Sequence, residues 1–449
     1  MRLSELAKVV SGKLLHGDAE FEAVEIDSRK EVKGKLFVAL RGARFDGHDF
    51  VAQAQAQGAV AALTEREVGF LPQLVVENTQ LGLGRLANYF RRTRFTGDLV
   101  GVTGSNGKTT VKEMIAEVLG GEALGLKTQG NLNNAVGVPL TLLRLKPAHR
   151  FAVVEMGANH AGEIGYAAGL AEPKVGVITN AGPAHLEGFG SLEGVARAKG
   201  ELISALPQEG IAVLPADDKF LEYWLHLAGK RRCLSFGLGP KALVRAEKIA
   251  PLAFASGRFV NRFEVFAHGE RFAVELALAG RHNVVNALAA IAVGLALGRE
   301  VAEITAALSR LTPVPGRLRP LPAKSGAWLL DDCYNANPAS FQAGLEALKA
   351  LDGEPWVILG AFGELGEESA AWHKKAGELA RKYGVLRLFA VGEETKAAVA
   401  AFGAGGQWFA SQEELIEKAL GELHSEARIL VKGSRSQRLE MSVLALRKE

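Results

Sequence analysis

Cysteine is nearly absent from this chain: Cys233 and Cys333 are the only two. Two thiols build no disulfide framework, which excludes the small stapled secreted folds and fits a reducing compartment. Dense runs of lysine and arginine are missing as well. With 53 basic against 50 acidic side chains the net charge is +3, too little to hold a nucleic acid by charge. Long apolar runs are also lacking. The longest uncharged stretch, NVVNALAAIAVGLALG from Asn283, falls short of the roughly 18 apolar residues of a membrane span and reads as a buried helix. The N-terminal MRLSELAKVVSG has no apolar centre of the signal-peptide kind, and Leu3, Leu6, Val9 and Val10 make it an amphipathic helix. Neither a repeat of about 20–50 residues nor a low-complexity tract occurs. These absences leave a soluble cytoplasmic protein, expected to be a monomer, with small-molecule partners, no nucleic acid and no membrane insertion.

What is present is apolar material for large cores. Hydrophobic residues make up 48% of 449 and charged residues 23%, and at roughly 100–200 residues per domain this predicts about three domains. The first, residues 1–96, opens with a helix followed by short strands such as KLFVAL. FRRTRFTGD reads as the crossing into the second, residues 97–313, where LVGVT, FAVVEMG, KVGVITN and GIAVLPADD are apolar runs on the scale of buried parallel strands. RLTPVPGRLRP, with three prolines, reads as a linker into the third, residues 314–449. There AWLLDDCYNANP, PWVILGAFGE, LRLFAVGEE and ARILVKGSRS alternate with helical stretches. The expected fold is α/β: a central parallel-sheet domain between a small N-terminal α/β domain and a doubly wound, Rossmann-like C-terminal domain. Ligands of such sheets gather at the carboxyl ends of the strands.

The sharpest chemical signal is VGVTGSNGKTTVKEM from Val100. An apolar strand gives way to Thr103, Gly104, Ser105, Asn106, Gly107, Lys108, Thr109 and Thr110. Val111, Met114, Ile115, Val118 and Leu119 then recur at helical spacing, so a helix begins near Lys108. A helix N-terminus offers N–H groups and the positive end of a dipole, and the glycines let the backbone close on an anion. Lysine there reaches terminal phosphates, and the Thr109 hydroxyl can ligate Mg²⁺. Gly101 is one residue out of register for the full G-x-x-x-x-G-K-[ST] pattern. What remains is G-x-x-G-K-T in the right context, against the plain alternative of a tight βα turn.

Other residues gain meaning from that loop. Glu155 ends FAVVE and is placed to hold Mg²⁺, though an acid at a strand end also serves as a cap or solvated group. His185 and Glu187 lie in TNAGPAHLEGFGS, on the same strand-end side. Lys199, in GVARAKGELISAL, is by spacing alone an ordinary helix lysine. His282 and Asn286 share a helix face with Asn283 at its start, suited to a base or, for Asn283, to helix capping. Asp331 and Asp332 end a strand of the third segment. Arg317, Lys432 and Arg435 form a cationic rim for phosphates and carboxylates, or a solvated edge.

With these residues laid out, the chain resembles the Mur ligase family of ATP-dependent amide-forming enzymes of peptidoglycan precursor synthesis. The resemblance runs through EIDSRKEVKGKLFVALRGARFDGHDF, TGSNGKTT, TQGNLNNAVGVPLTLL, EMGANHAGEI, TNAGPAHLEGFGS, AKGEL, RHNVVNAL, VPGR, DDCYNANP and VKGSR. EMGANHAGEI and YNANP are similar to the dipeptide-adding branch more narrowly, and the D-N-P-R run of diaminopimelate-adding relatives is absent. The resemblance implies ATP and Mg²⁺, with UDP-MurNAc-tripeptide and D-alanyl-D-alanine as the joined substrates. It makes Lys108 the γ-phosphate ligand and Thr109 and Glu155 ligands of one Mg²⁺. His185 and Lys199, the latter as an N-carbamate, go with a second metal. It places His282, Asn283 and Asn286 at the base, Arg317 at the phosphates and Asp332 toward the ribose. Ser28, Arg29, Thr128, Asn131, Asn133 and Asn134 match stretches that contact the UDP-sugar. The D-alanyl-D-alanine anchor is expected at Asn335, Asn337, Lys432 and Arg435. Ala361 stands where the family run carries aspartate, and Cys333 where serine is common. A sibling ligase adding one amino acid, a folylpolyglutamate synthetase, and a nucleotide-dependent switch remain as alternatives.

Overall fold

The structure is a computed structural model and describes residues 1–42, 45–182, 186–363 and 365–448. The chain divides into two compact units, Met1–Leu234 and Ser235–Glu449.

The first unit opens with the helix Leu3–Val10, whose Leu3, Leu6 and Val10 are buried as its spacing predicts. A five-stranded sheet follows in the order Lys13–Leu15, Gln73–Val75, Ala61–Thr64, Leu36–Val38, Val24–Glu25, antiparallel only at its first pair. Leu36 and Val38 point into one core and Phe37 into the other, as the two-residue period of a strand requires. The stretch FRRTR does not cross between domains. It is the last turn of the helix Thr79–Arg94, capped by Asn78. Leu83, Leu86, Ala87 and Phe90 give that helix its buried stripe, and Arg91 reaches the Ala171 and Glu172 carbonyls at a helix C-terminus. Only Phe95, Thr96 and Gly97 are left as connection.

The next sheet is parallel, and its strands run from one edge Gly125–Lys127, Phe151–Glu155, Asp98–Thr103, Val175–Ile178, Ile211–Pro215. The first strand in sequence therefore sits in the middle. The chain leaves this strand toward the Gly125–Lys127 edge and leaves its neighbour Val175–Ile178 toward Ile211–Pro215, and these opposite directions open a crevice at its carboxyl end. That end is Thr103, where the glycine-bearing loop begins.

In the second unit the strand Arg232–Gly237, which straddles the division, pairs through Phe236 and Gly237 with Val244–Glu247. Antiparallel strands Ala253–Ala255, Arg258–Ala267 and Glu270–Leu276 follow. Their hairpins turn at Ser256-Gly257 and His268-Gly269, all four at positive φ, the two-residue turn that matches strand twist. The helix Arg281–Ala296 is the buried uncharged stretch, and among the described residues no helix is long and apolar enough to cross a membrane. The last sheet runs Arg319–Pro322, Trp328–Asp331, Ala427–Lys432, Glu354–Gly360, Arg387–Val391, Gly406–Phe409, parallel except at its first strand. Leu330, Val357 and Leu359 face the helices Pro338–Leu348 and Ser369–Lys382. Leu329, Trp356 and Ile358 face Gln412–Glu422 and Glu440–Leu446. This is a doubly wound layer, and with the two sheets of the first unit it gives the three α/β blocks expected.

Candidate active site

The phosphate loop connects the strand Asp98–Thr103 to the helix Lys108–Val118, which starts at Lys108 as its apolar spacing predicts. Gly104 has φ +150° and Gly107 +82°, conformations that side chains other than glycine rarely adopt. The loop is braced from the next strand. Ser105 and Asn106 donate their N–H groups to the Asn180 carbonyl and side-chain oxygen, and the Thr179 hydroxyl donates to Asn106 O at 2.6 Å. Thr103 is buried and donates to Met156 O. The Lys108 ammonium lies over the loop, 2.6 Å from Gly104 O and 3.2 Å from Ser105 O. Thr109 and Thr110 open the helix, in the first turn whose N–H groups have no intrahelical acceptor.

Glu155 reaches this point because its strand lies beside Asp98–Thr103 and ends level with it. It is buried, and Thr109 Oγ1 donates to its Oε2 at 3.1 Å while Asn133 Nδ2 donates to its Oε1 at 2.9 Å. A hydroxyl and an oriented carboxylate thus converge beside the loop, the oxygen donors a hard cation takes. Among the described residues no cluster of three His, Cys, Asp or Glu occurs. Mg²⁺ sites of one or two protein oxygens completed by phosphate and water have no need of one.

Lys199 is not a solvated helix lysine. It is 2% exposed, and burial, with the Lys108 ammonium nearby, lowers its pKa to about 7 against the opposing pull of Glu201 and Glu163. Its ammonium lies 5.5 Å from the centre of the Phe189 ring. His185 lies outside the described residues, as does the side chain of Glu187. Glu201 accepts the Gly162 and Gly165 N–H groups, and Glu163 those of Asn159 and His160, which fixes the EMGANHAGEI turn.

Of the residues matched to the UDP-sugar, Thr128 and Asn133 adjoin Glu155: the Thr128 hydroxyl accepts the Glu155 N–H at 2.9 Å. Asn131 is exposed, and Asn134 accepts the Val136 and Gly137 N–H groups at the start of the next helix. Ser28 is buried beside the exposed Arg29, whose guanidinium grips Asp27 through two bonds of 2.9 and 2.8 Å and holds that carboxyl well below its usual range.

In the second unit Asn283 does not cap its helix. The cap position is Gly280, and Asn283 reaches back to the Ala279 carbonyl at 2.7 Å while accepting from Asn286. His282, at the same helix start, is exposed. The linker is held rather than loose. Gly316 N–H donates to Asp331 and Leu318 N–H to Asp332, and the Arg317 guanidinium lies 4.2 Å above the Tyr334 ring. Arg317 Nε is buried with no partner among the described residues. Lys432 is 1% exposed, 2.5 Å from Asp332 Oδ2 and 3.1 Å from Asn335 O, so its charge is already matched. Burial pushes the Asp332 carboxyl up, against that ammonium. Asn335 accepts from Ala336 N, and Asn337 caps the helix Pro338–Leu348 in a capping box with Ser340. Arg435 is the open cation, its side chain 65% exposed and 3.3 Å from Glu440. Ala361 and Cys333 are both buried in the core of this block.

Sequence reasoning missed Thr179, Asn180 and Lys112. The polar TNAG run following a strand signals the first two, and nothing in the local pattern of VKEM singles out the lysine. A glycine-bearing loop at the switch point of a parallel sheet, in a chain of three α/β blocks, defines a P-loop nucleotide-binding protein. Family models match along the chain: the Mur ligase family catalytic domain at residues 20–90, the Mur ligase middle domain at 102–294 and the Mur ligase glutamate ligase domain at 316–435. A curated Escherichia coli protein, UDP-N-acetylmuramoyl-tripeptide–D-alanyl-D-alanine ligase, is 42% identical over 99% of this chain and 98% of its own length. The Bacillus subtilis protein of that name is 32% identical over 98% and 96%. Among solved structures, MurF from Acinetobacter baumannii has a TM-score of 0.90 at 34% identity, covering 98% and 97%. MurF from Thermotoga maritima in complex with ADP has 0.84 at 30%, covering 94% and 96%. The chain belongs to the Mur ligase family.

Proposed function

We propose that this chain joins D-alanyl-D-alanine to UDP-N-acetylmuramoyl-tripeptide at the expense of ATP, giving the UDP-pentapeptide, ADP and phosphate in peptidoglycan precursor synthesis. The observation that carries the reading is the braced phosphate loop with Thr109 and Glu155 converging beside it, in a chain whose relatives of that name match it end to end. Residues 1–96 bind the UDP-substrate, 97–313 the nucleotide and 314–449 the acceptor. Two cysteines with no disulfide between them support a cytoplasmic setting.

The tripeptide carboxylate attacks the γ-phosphorus of ATP, forming an acyl phosphate and releasing ADP. The dipeptide amine then attacks the acyl carbon, the new C–N bond forms and phosphate leaves. There is little covalent chemistry for side chains to do, so positioning and charge dominate. Loop amides and Lys108 hold the terminal phosphates. Thr109 and Glu155 would hold Mg²⁺, which when bound offsets the charge gathering on the phosphate oxygens. His185 and Lys199, as a carbamate, would hold a second ion. His282, Asn283 and Asn286 meet the base, Arg317 the phosphates and Asp332 the ribose side. Ser28, Arg29, Thr128, Asn131, Asn133 and Asn134 receive the UDP-substrate. Arg435 anchors the dipeptide carboxylate, while Lys432, committed to Asp332, fixes the Asn335–Asn337 loop that meets its peptide bond.

ATP-dependent phosphate release with UDP-MurNAc-tripeptide tests this directly. Release is expected with D-alanyl-D-alanine and not with diaminopimelate, lysine or no acceptor. Turnover without an amine would mean a switch, and turnover with a free amino acid a sibling ligase.

A further inference from the structure

Lys112 has no part in that mechanism, yet it is among the most buried charges of the first unit, 2% exposed. An ammonium is held there only if its donors are met. It lies one turn beyond Lys108 on the same helix. Its Nζ donates to the Thr128 carbonyl at 2.7 Å, pairs with Glu113 Oε1 at 3.0 Å and stands 3.9 Å from Glu155 Oε2. The segment it grips is tied back at a second point, because Asn133 donates to Glu155 at 2.9 Å. One buried cation therefore joins the nucleotide helix, the Glu155 strand end and the start of the Thr128–Asn134 loop.

We propose that Lys112 is a positioning residue that holds the Thr128–Asn134 loop in register with the phosphate-binding helix, so that UDP-substrate and nucleotide meet at a fixed spacing. This rests on the assignment of that loop to the UDP-substrate. Lysine suits the task because its ammonium donates to the Thr128 carbonyl while facing carboxylates on its own helix and on the Glu155 strand, which an apolar side chain of equal length cannot match.

The test measures binding apart from turnover: calorimetric titration of UDP-MurNAc-tripeptide, without ATP, into the wild-type chain, Lys112→Met and Lys112→Gln. All are measured well below each variant's melting midpoint by circular dichroism. Lys112→Met should bind roughly tenfold to a hundredfold more weakly, the scale of one charge-assisted bond. Lys112→Gln, which keeps an N–H donor directed at Thr128 O though one bond shorter and uncharged, should recover part of that loss. In turnover, the KM for the UDP-substrate should rise in Lys112→Met while that for D-alanyl-D-alanine moves by less than about twofold. Wild-type affinity in Lys112→Met overturns the proposal. So does an equal loss in both variants that follows only their melting midpoints, the mark of a merely structural lysine. A wild-type chain that binds no UDP-MurNAc-tripeptide instead overturns the ligase reading beneath it.

Discussion

Replacing Gly104 with alanine probes the phosphate loop at its tightest point. A Cβ there would fall 1.8 Å from Thr179 Oγ1 and 3.0 Å from Thr179 Cβ, on backbone with φ +150°. Thr179 cannot simply withdraw. Its hydroxyl is bonded to Asn106 O at 2.6 Å, and its N–H to Thr103 O on the adjacent strand at 2.9 Å. Two costs follow. Holding alanine in that region takes about 1–3 kcal/mol, and displacing the hydroxyl forfeits about 1 kcal/mol of hydrogen bond. Their sum of about 2–4 kcal/mol corresponds to roughly 30- to 1,000-fold in an equilibrium constant. The loss should appear in nucleotide affinity, read by calorimetric titration of ADP, while UDP-substrate binding stays near wild type. Adding Thr179→Ala removes the closest contact and leaves the backbone strain. The double variant should therefore bind ADP better than the two single losses predict. Wild-type ADP affinity in Gly104→Ala would refute the reasoning, because it would mean that the loop relaxes without cost.

Lys199, with its pKa lowered to about 7, is about half neutral at pH 7 and more so as pH rises, whereas an ordinary lysine is almost wholly charged. At a fixed concentration of dissolved CO₂, recovery of activity after CO₂ depletion should accordingly be faster above pH 7 than below it. Lys199→Ala should be nearly inactive and partly rescued by short carboxylic acids; failure of both would remove the carbamate. Arg435→Ala should raise the KM for D-alanyl-D-alanine roughly tenfold to a hundredfold with ADP affinity unchanged, and normal dipeptide binding would move the acceptor site elsewhere. Asn133→Ala frees one Glu155 oxygen and should raise the Mg²⁺ needed for half-maximal turnover by roughly tenfold or more. An unshifted Mg²⁺ dependence would separate Glu155 from the metal.

The phosphate loop was legible because its chemistry is local: an apolar strand, two glycines and the apolar spacing from Val111 to Leu119 lie within one short stretch. The parallel strands were legible for the same reason, since each buried run carries its own apolar pattern. Both hairpins of the antiparallel layer had a local signal too, Ser256-Gly257 and His268-Gly269, which went unread beside the stronger βα pattern. FRRTR misled as a crossing because Arg92 and Arg94 line the exposed side of a helix whose buried stripe starts many residues earlier, at Leu83. The function of several polar residues could not be read at all without the tertiary structure. Glu155, Asn133, Thr128 and Lys112 meet only because adjacent parallel strands end level with one another. Lys432 and Arg435 look alike in VKGSR, yet the fold buries one against Asp332 and leaves the other open. Lys199 has the spacing of a surface lysine, and only packing lowers its pKa. Local pattern thus determined which segments become strand, loop and helix. Which charges are matched, buried or left for a ligand depended on side chains distant in sequence, whose meeting only the packed sheets decide.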